Sequence, residues 1–151
     1  MAASFFILTS YLNSLPFRVV GVLLLLFFTV LFLQSGFDKV KDRKGNLDWL
    51  IGHFSKSMFK NSVPFLLAVI TVMELISGFA SLGTAVYLGF AELSQIWIPF
   101  AVVSFCALTL LNLFAGQRIA KDYAGAAGIV PYFIVAFLAM VFFGGLIFWE
   151  G

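Results

Sequence analysis

Residues 63–82 read VPFLLAVITVMELISGFASL, an apolar stretch of 20 residues that contains one acid, Glu74, near its centre. About 20 residues of α-helix are needed to cross a hydrocarbon core of ~30 Å. An ionised carboxylate in the middle of such a span costs at least ~2.5 kcal/mol, so it usually has a partner or a task. We therefore expect a membrane-spanning helix that turns Glu74 toward other helices and away from lipid.

Three further apolar stretches have spanning length, so four spans are predicted, at residues 17–33, 63–82, 96–114 and 129–149. The chain is 62% hydrophobic and 11% charged, whereas soluble domains have roughly 45–50% and about 25%. Continuous apolar runs predict helices, because the strands of a membrane barrel would alternate. The predicted fold is an all-α integral membrane protein, a four-helix bundle formed by residues 1–151 as one domain.

Two shorter segments are expected to lie in the membrane interface. Apolar residues recur at helical spacing within residues 47–60 and charged residues lie between them, which predicts an amphipathic helix with Trp49 near the headgroups. Residues 4–15 show a similar pattern, although a longer first helix kinked near Pro16 is the alternative. Residues 39–46 are charged and contain a glycine, so a solvated loop is predicted there.

The basic residues predict the orientation of the bundle. Eight of the nine Lys and Arg lie between spans one and two or between spans three and four: Lys39, Lys41, Arg43, Lys44, Lys56, Lys60, Arg118 and Lys121. Only Arg18 lies on the opposite side. The positive-inside rule places both basic loops in the cytoplasm and both termini outside. Because the positive charge follows topology, no nucleic-acid partner is expected.

The residues that support common cofactors are few. Cys106 is the only cysteine and His53 the only histidine, so neither an internal disulfide nor a bis-histidine haem can form within this chain. We predict no metal site and no intrinsic cofactor. An enzyme acting alone is the least favoured class, because the sequence offers no nucleophile–base pair.

Glu74 is the centre of the candidate site. Thr71 and Ser77 share its helical face, and a second polar stripe on span three includes Asn112. Under one interpretation Glu74 is a hydrogen-bonded acid that joins helices, with Asn112 or a backbone carbonyl as its partner. Under the other, these four residues, together with Arg18, form a proton-accepting or ligand site. A direct pair with Arg18 is disfavoured, because Arg18 lies roughly 12 Å nearer the outer surface.

Three residues are candidates for contacts with lipid or with a partner. Arg118 and Lys121 are most simply the charges that set topology, but they could also hold anionic lipid or an acidic partner surface. Trp49 is expected near the headgroups. Cys106 is expected to pack as a small apolar side chain.

Several short motifs resemble the DoxX family of small four-helix bacterial inner-membrane proteins. Arg18 heads the first span, Leu33-Gln34-Ser35-Gly36-Phe37-Asp38-Lys39 resembles the family's Gly-x-x-Lys exit, and Glu74 with Gly78 resembles its membrane-embedded acid and glycine. The resemblance extends from about residue 18 to residue 148. The basic loop at residues 116–125 is longer than in the family at large. Family members are associated with quinone-reducing or oxidative-stress systems, which makes a quinone a possible cofactor.

Two functions follow from these features. The favoured one is a non-catalytic subunit of a larger bacterial inner-membrane complex, redox- or envelope-associated, with the lipid bilayer and other membrane subunits as partners. The alternative is a protein that binds or transports a quinone, lipid or small solute at a site around Glu74. The scarcity of polar residues and the lack of a broken helix count against the alternative.

Overall fold

The structure, a computed structural model, describes residues 10, 13–55, 57, 59–91 and 95–145. This part of the chain forms five helices and no strand: α1 Leu15–Lys41, α2 Arg43–His53, α3 Val63–Phe90, α4 Trp97–Ile119 and α5 Tyr123–Gly144. All except α2 are long and apolar enough to cross a membrane. The prediction of an all-α bundle with four spanning helices is therefore confirmed.

The helices extend beyond the predicted spans. α1 runs eight residues past the predicted end at 33, α3 continues to Phe90, and α4 continues to Ile119. α5 begins at Tyr123 instead of 129, so Pro131 lies inside the helix. The end of the fourth predicted span, like most of the predicted helix at 4–15, lies outside the described residues.

The prediction of a solvated loop at residues 39–46 is wrong. α1 continues through Lys39, and Asp42 then separates it from α2 by a single residue. The Asp42 side chain accepts a hydrogen bond from the Gly45 amide at 3.0 Å, which is an N-cap interaction. This cap starts α2 at Arg43, four residues before the predicted interfacial helix, and α2 ends at His53 instead of 60.

The bundle consists of two antiparallel pairs of helices. α1 packs mainly on α3, and α5 packs mainly on α4. Glycines allow close approach in the first pair, because a Cβ added to Gly78 would lie 2.6 Å from Leu33 Cδ2, and one added to Gly36 would lie 2.8 Å from Leu75 Cδ2. Lipid provides no hydrophobic drive between helices, so close packing of this kind stabilises their association.

The two pairs meet along α3 and α4. Ser77 Oγ lies 2.9 Å from Thr109 Oγ1, and Ser81 Oγ lies 3.4 Å from Cys106 Sγ. Cys106 is fully buried, as expected. α1 and α5 touch through aromatic rings, with Phe17 stacked on Phe142 at 4.8 Å between centroids. Residues 39–55, 57, 59–62 and 116–125 lie together at one end of the bundle, which we call the basic end.

Candidate functional site

Glu74 is fully buried and forms an ion pair with Lys39. Lys39 Nζ lies 2.9 Å from Glu74 Oε2 and donates a hydrogen bond to Oε1 at 3.0 Å. Ser35 Oγ also donates to Oε1, at 2.9 Å, and accepts from Lys39 Nζ at 2.7 Å. Three side chains from two helices therefore form one closed polar cluster, which we call the Glu74 cluster.

The two oxygens of Glu74 are not equivalent. Oε1 accepts two hydrogen bonds, whereas among the described residues no group donates a well-directed hydrogen bond to Oε2. The 2.9 Å separation from Nζ still places Oε2 in direct contact with the cation. Its contact is therefore electrostatic and weakly directional, which leaves the orientation of the carboxylate to be set by Oε1.

Helix periodicity explains why Glu74 and Lys39 face each other. On α3, Glu74 belongs to a buried stripe with Leu67, Thr71, Ser77, Gly78 and Ser81, as the sequence predicts. On α1, the buried positions Leu25, Phe28, Phe32 and Gly36 lead to Lys39 one turn later. α1 and α3 are antiparallel, and their register, with Gly36 against Leu75 and Gly78 against Leu33, brings the end of the α1 stripe to the middle of the α3 stripe.

The other predicted members of the site do not reach Glu74. Thr71 Oγ1 donates to the Leu67 carbonyl at 2.6 Å, and Ser77 contacts Thr109. Asn112 donates to the Leu108 carbonyl at 2.9 Å and lies 3.9 Å from Met73 Sδ. The hypothesis that Asn112 is the partner of Glu74 is therefore wrong, because its side chain is exposed and donates to a carbonyl of its own helix.

Arg18 is not part of a site around Glu74. It donates to the carbonyls of Leu88 at 2.9 Å, Gly89 at 3.0 Å and Ala91 at 2.9 Å. These groups lie at the C-terminus of α3, where carbonyls lack helical partners and carry partial negative charge. Leu88 is about 21 Å along α3 from Glu74 at 1.5 Å per residue, which excludes a direct Arg18–Glu74 pair.

At the basic end, α2 is attached to the turn between α4 and α5. His53 Nε2 lies 3.1 Å from Gln117 Oε1 and 3.5 Å from Asp122 Oδ2. Trp49 is exposed and stacks on the His53 ring, with 4.5 Å between centroids. The C-terminal turn of α2 is thus held against the end of the second helix pair.

Arg118 and Lys121, the two cations that the sequence analysis proposes as contacts for lipid or a partner, lie in the last turn of α4 and in the α4–α5 turn. Arg118 lies over the Tyr123 ring, 4.6 Å from its centroid. Lys121 has φ of 65°, the one non-glycine residue with positive φ in the described part of the chain. Its left-handed conformation lets the Asp122 amide donate to the Gln117 carbonyl at 2.9 Å, which closes the end of α4.

A groove of about 240 Å³ lies between α3 and α4 at the basic end, under Leu50 of α2 and Phe54. Met73 and Asn112 lie at its inner end, and Gln117 and Ile119 lie toward the end of α4. All other lining residues are apolar or glycine. Glu74 does not line this groove, so the acid and the cavity are separate features.

Comparison with protein-family models, with curated proteins and with solved structures finds no match to this chain. No group of three or more His, Cys, Asp and Glu side chains that could hold a metal ion occurs among the described residues.

Sequence reasoning missed Lys39 and Ser35 as partners of Glu74. Lys39 was assigned to a loop because it follows Gly36 and Asp38, which are common at helix ends. The signal that identifies it is the spacing of Phe32, Ser35 and Lys39 along the buried face of α1.

Proposed function

We propose that this chain is a non-catalytic subunit of a larger complex in the bacterial inner membrane. The positive-inside rule supports an orientation with the basic end in the cytoplasm and both termini outside. The resemblance to the DoxX family supports a quinone-linked or envelope-associated complex as its setting. Partners would include other membrane subunits in addition to lipid.

The observation that carries the proposal is the exposure of α5. Within an apolar stretch of 18 residues of α5 only 22% of the residues are buried, compared with 33% in the corresponding stretch of each of the other three spanning helices. Its exposed face bears large apolar side chains, namely Phe133, Ile134, Phe137, Leu138 and Val141. A helix that contributes least to its own bundle retains the most surface for packing against a partner helix.

The Glu74 cluster supports a structural rather than a reactive role. Both helices of the first pair contribute to it, and Lys39 and Ser35 already occupy Oε1. Thr71, Ser77 and Asn112 are engaged elsewhere. A quinone or solute site centred on Glu74 is therefore less well supported than the subunit proposal.

The test compares matched tryptophan substitutions on two exposed helix faces. Leu138 on α5 is 59% exposed and Val72 on α3 is 54% exposed. Membranes of the native host are extracted in mild detergent, and the tagged chain is followed on native gels. We expect wild type and Val72→Trp to migrate in one assembly, and Leu138→Trp to migrate as the free chain with an unchanged Tm.

Two results would contradict this proposal. One is a wild-type chain that runs alone with no co-purifying subunit in stoichiometric amount. The other is loss of the assembly in both variants, since that would show that α5 is not the specific contact.

A further inference from the structure

We propose that the groove between α3 and α4 holds one acyl chain of an anionic phospholipid, with its headgroup against Lys60, Arg118 and Lys121. This site is separate from the Glu74 cluster and does not depend on the subunit proposal. The argument rests on the chemistry of the walls, the charges at the mouth and one strained backbone position.

The walls of the groove suit a hydrocarbon chain. α3 contributes Val63, Leu66, Leu67, Val69, Ile70 and Met73, and the facing side comes from Leu113, Ala115, Gly116 and Ile119 of α4. Val69 and Ile119 are 39% and 38% exposed, so the groove is open to the surrounding lipid. From Ile119 to Asn112 it extends about 10 Å along α4, at 1.5 Å per residue.

The hydrogen bonds of the side-chain amides of Asn112 and Gln117 are compatible with a bound acyl chain. Asn112, at the inner end, donates to the carbonyl of its own helix at Leu108, so the inner end needs no polar ligand. Gln117, nearer the mouth, uses Oε1 to contact His53. Its amide nitrogen can then donate to an ester carbonyl, which in a phospholipid lies between the chain and the headgroup.

Three cations at the basic end, close in sequence to the groove residues Phe59, Gln117 and Ile119, have no acidic partner within the described residues. Lys60, Arg118 and Lys121 are exposed, and within the described ranges none of them forms an ion pair. The neighbouring carboxylate, Asp122, accepts from the Gly125 amide at 2.8 Å and lies 3.5 Å from His53. These cations complement a phosphate headgroup at the membrane surface.

The backbone conformation of Lys121 gives a second, independent indication of a binding site for the headgroup. The left-handed region is disfavoured for residues with a Cβ, and glycine usually takes this position at a helix end. A lysine held there, three residues after Arg118, keeps a second cation in the same turn at the cost of local strain. Strained positions of this kind are concentrated at functional sites, and here the function that fits is headgroup binding.

The test measures which lipid the full chain retains. The protein is placed in nanodiscs of equal phosphatidylglycerol and phosphatidylcholine, extracted in mild detergent, and examined by native mass spectrometry. We expect wild type to retain one phospholipid, predominantly phosphatidylglycerol. The double variant Arg118→Gln/Lys121→Gln should lose about fivefold of that preference for each cation removed, whereas Lys41→Gln/Lys44→Gln at the same end should keep it.

A second pair of variants tests the groove itself. Ala115→Phe places a ring in the groove and should abolish retention, whereas Ala101→Phe, on an exposed face of the same helix, should leave it unchanged. The charge variants lie at exposed positions, so they decide the outcome even if Ala115→Phe fails to fold. The proposal is overturned if wild type retains no lipid or retains both lipids equally.

Discussion

Glu74 is fully buried and forms an ion pair with Lys39, whose side chain is 18% exposed. The free-energy cost of burying each charge therefore depends on the presence of the other. Neither group would be stable at this position alone, because the desolvation of an unpaired charge exceeds what packing returns. Together with Ser35 they form a unit that holds α1 against α3. The pair is therefore better tested as a double-mutant cycle than by single substitutions.

We expect Glu74→Gln and Lys39→Met each to lower the free energy of unfolding, by about 3–5 kcal/mol where the remaining charge stays buried. Lys39→Met should be the more damaging, because a lysine without its partner can extend toward water, whereas Glu74 cannot. The double variant should be more stable than the sum of the two losses predicts. Thermal unfolding of all four proteins in one detergent measures this coupling, and additive losses would show that the pair does not act as a unit.

Lys121 offers a second prediction at the scale of one residue. Replacing a residue that has φ of 65° by glycine removes strain of about 1–2 kcal/mol, partly offset by the greater entropy of glycine in the unfolded chain. Lys121→Gly should therefore raise the unfolding free energy by up to about 1 kcal/mol. The neighbouring Ala120 has φ of −70°, so Ala120→Gly should lower it by a similar amount.

If Lys121→Gly and Ala120→Gly shifted Tm in the same direction, strain at residue 121 would not be the cause. The two variants also separate stability from lipid binding. Lys121→Gly should gain stability while it loses part of the preference for anionic lipid, and Ala120→Gly should retain that preference.

At the scale of elements, the closeness of α1 and α3 depends on glycine. Gly78→Ala would place a Cβ 2.6 Å from Leu33 Cδ2 and 3.0 Å from the Leu33 backbone nitrogen, so the helices must separate. We expect it to lower Tm, with partial recovery in Gly78→Ala/Leu33→Ala. Gly83→Ala on the same helix meets nothing within 4 Å and should be neutral or stabilising by up to about 1 kcal/mol.

Equal effects of Gly78→Ala and Gly83→Ala would indicate that helix propensity, and not interhelical distance, controls stability here. Separation of α1 from α3 should also disturb the Glu74 cluster, because Gly78 lies one turn from Glu74. Cross-linking of paired cysteines across the two helices would report that separation directly.

The existence and number of the spanning helices could be predicted from hydropathy, but several of their ends could not. A hydropathy criterion ends a span at the first charges, whereas α1 continues to Lys41 because Glu74 neutralises Lys39 within the bundle. The start of α5 was placed too late, since its small residues before Pro131 have little hydropathy although the Asp122 side chain caps the helix there. The first error arises from a contact between residues distant in sequence, and the second arises from a helix cap.

The inward orientation of Glu74 could be predicted from its stripe of small and polar neighbours, but its partner could not. The register between α1 and α3 depends on which side chains interlock, as Gly36 does with Leu75 and Gly78 with Leu33. That register cannot be predicted from the pattern of one sequence. The groove was missed for the same reason, because it depends on how far α3 and α4 diverge and on where α2 crosses them.

For the whole molecule, the remaining question is which end faces the cytoplasm. α3 separates the two ends by about 42 Å at 1.5 Å per residue, enough to cross a bilayer. Lys44 lies at the basic end and Gln95 lies just before α4 at the other end, and both are exposed. The asymmetry of basic residues predicts that Lys44 lies inside the cell and Gln95 outside.

Cysteine labelling measures this orientation. In a Cys106→Ala background, an impermeant thiol reagent applied to spheroplasts should label Gln95→Cys and leave Lys44→Cys unlabelled, and both should react after the membrane is permeabilised. The reverse pattern would invert the orientation and place Lys60, Arg118 and Lys121 outside. The binding that we propose between these residues and anionic lipid of the cytoplasmic leaflet requires that they lie on that side, since the surface potential of the leaflet acts only within about a Debye length.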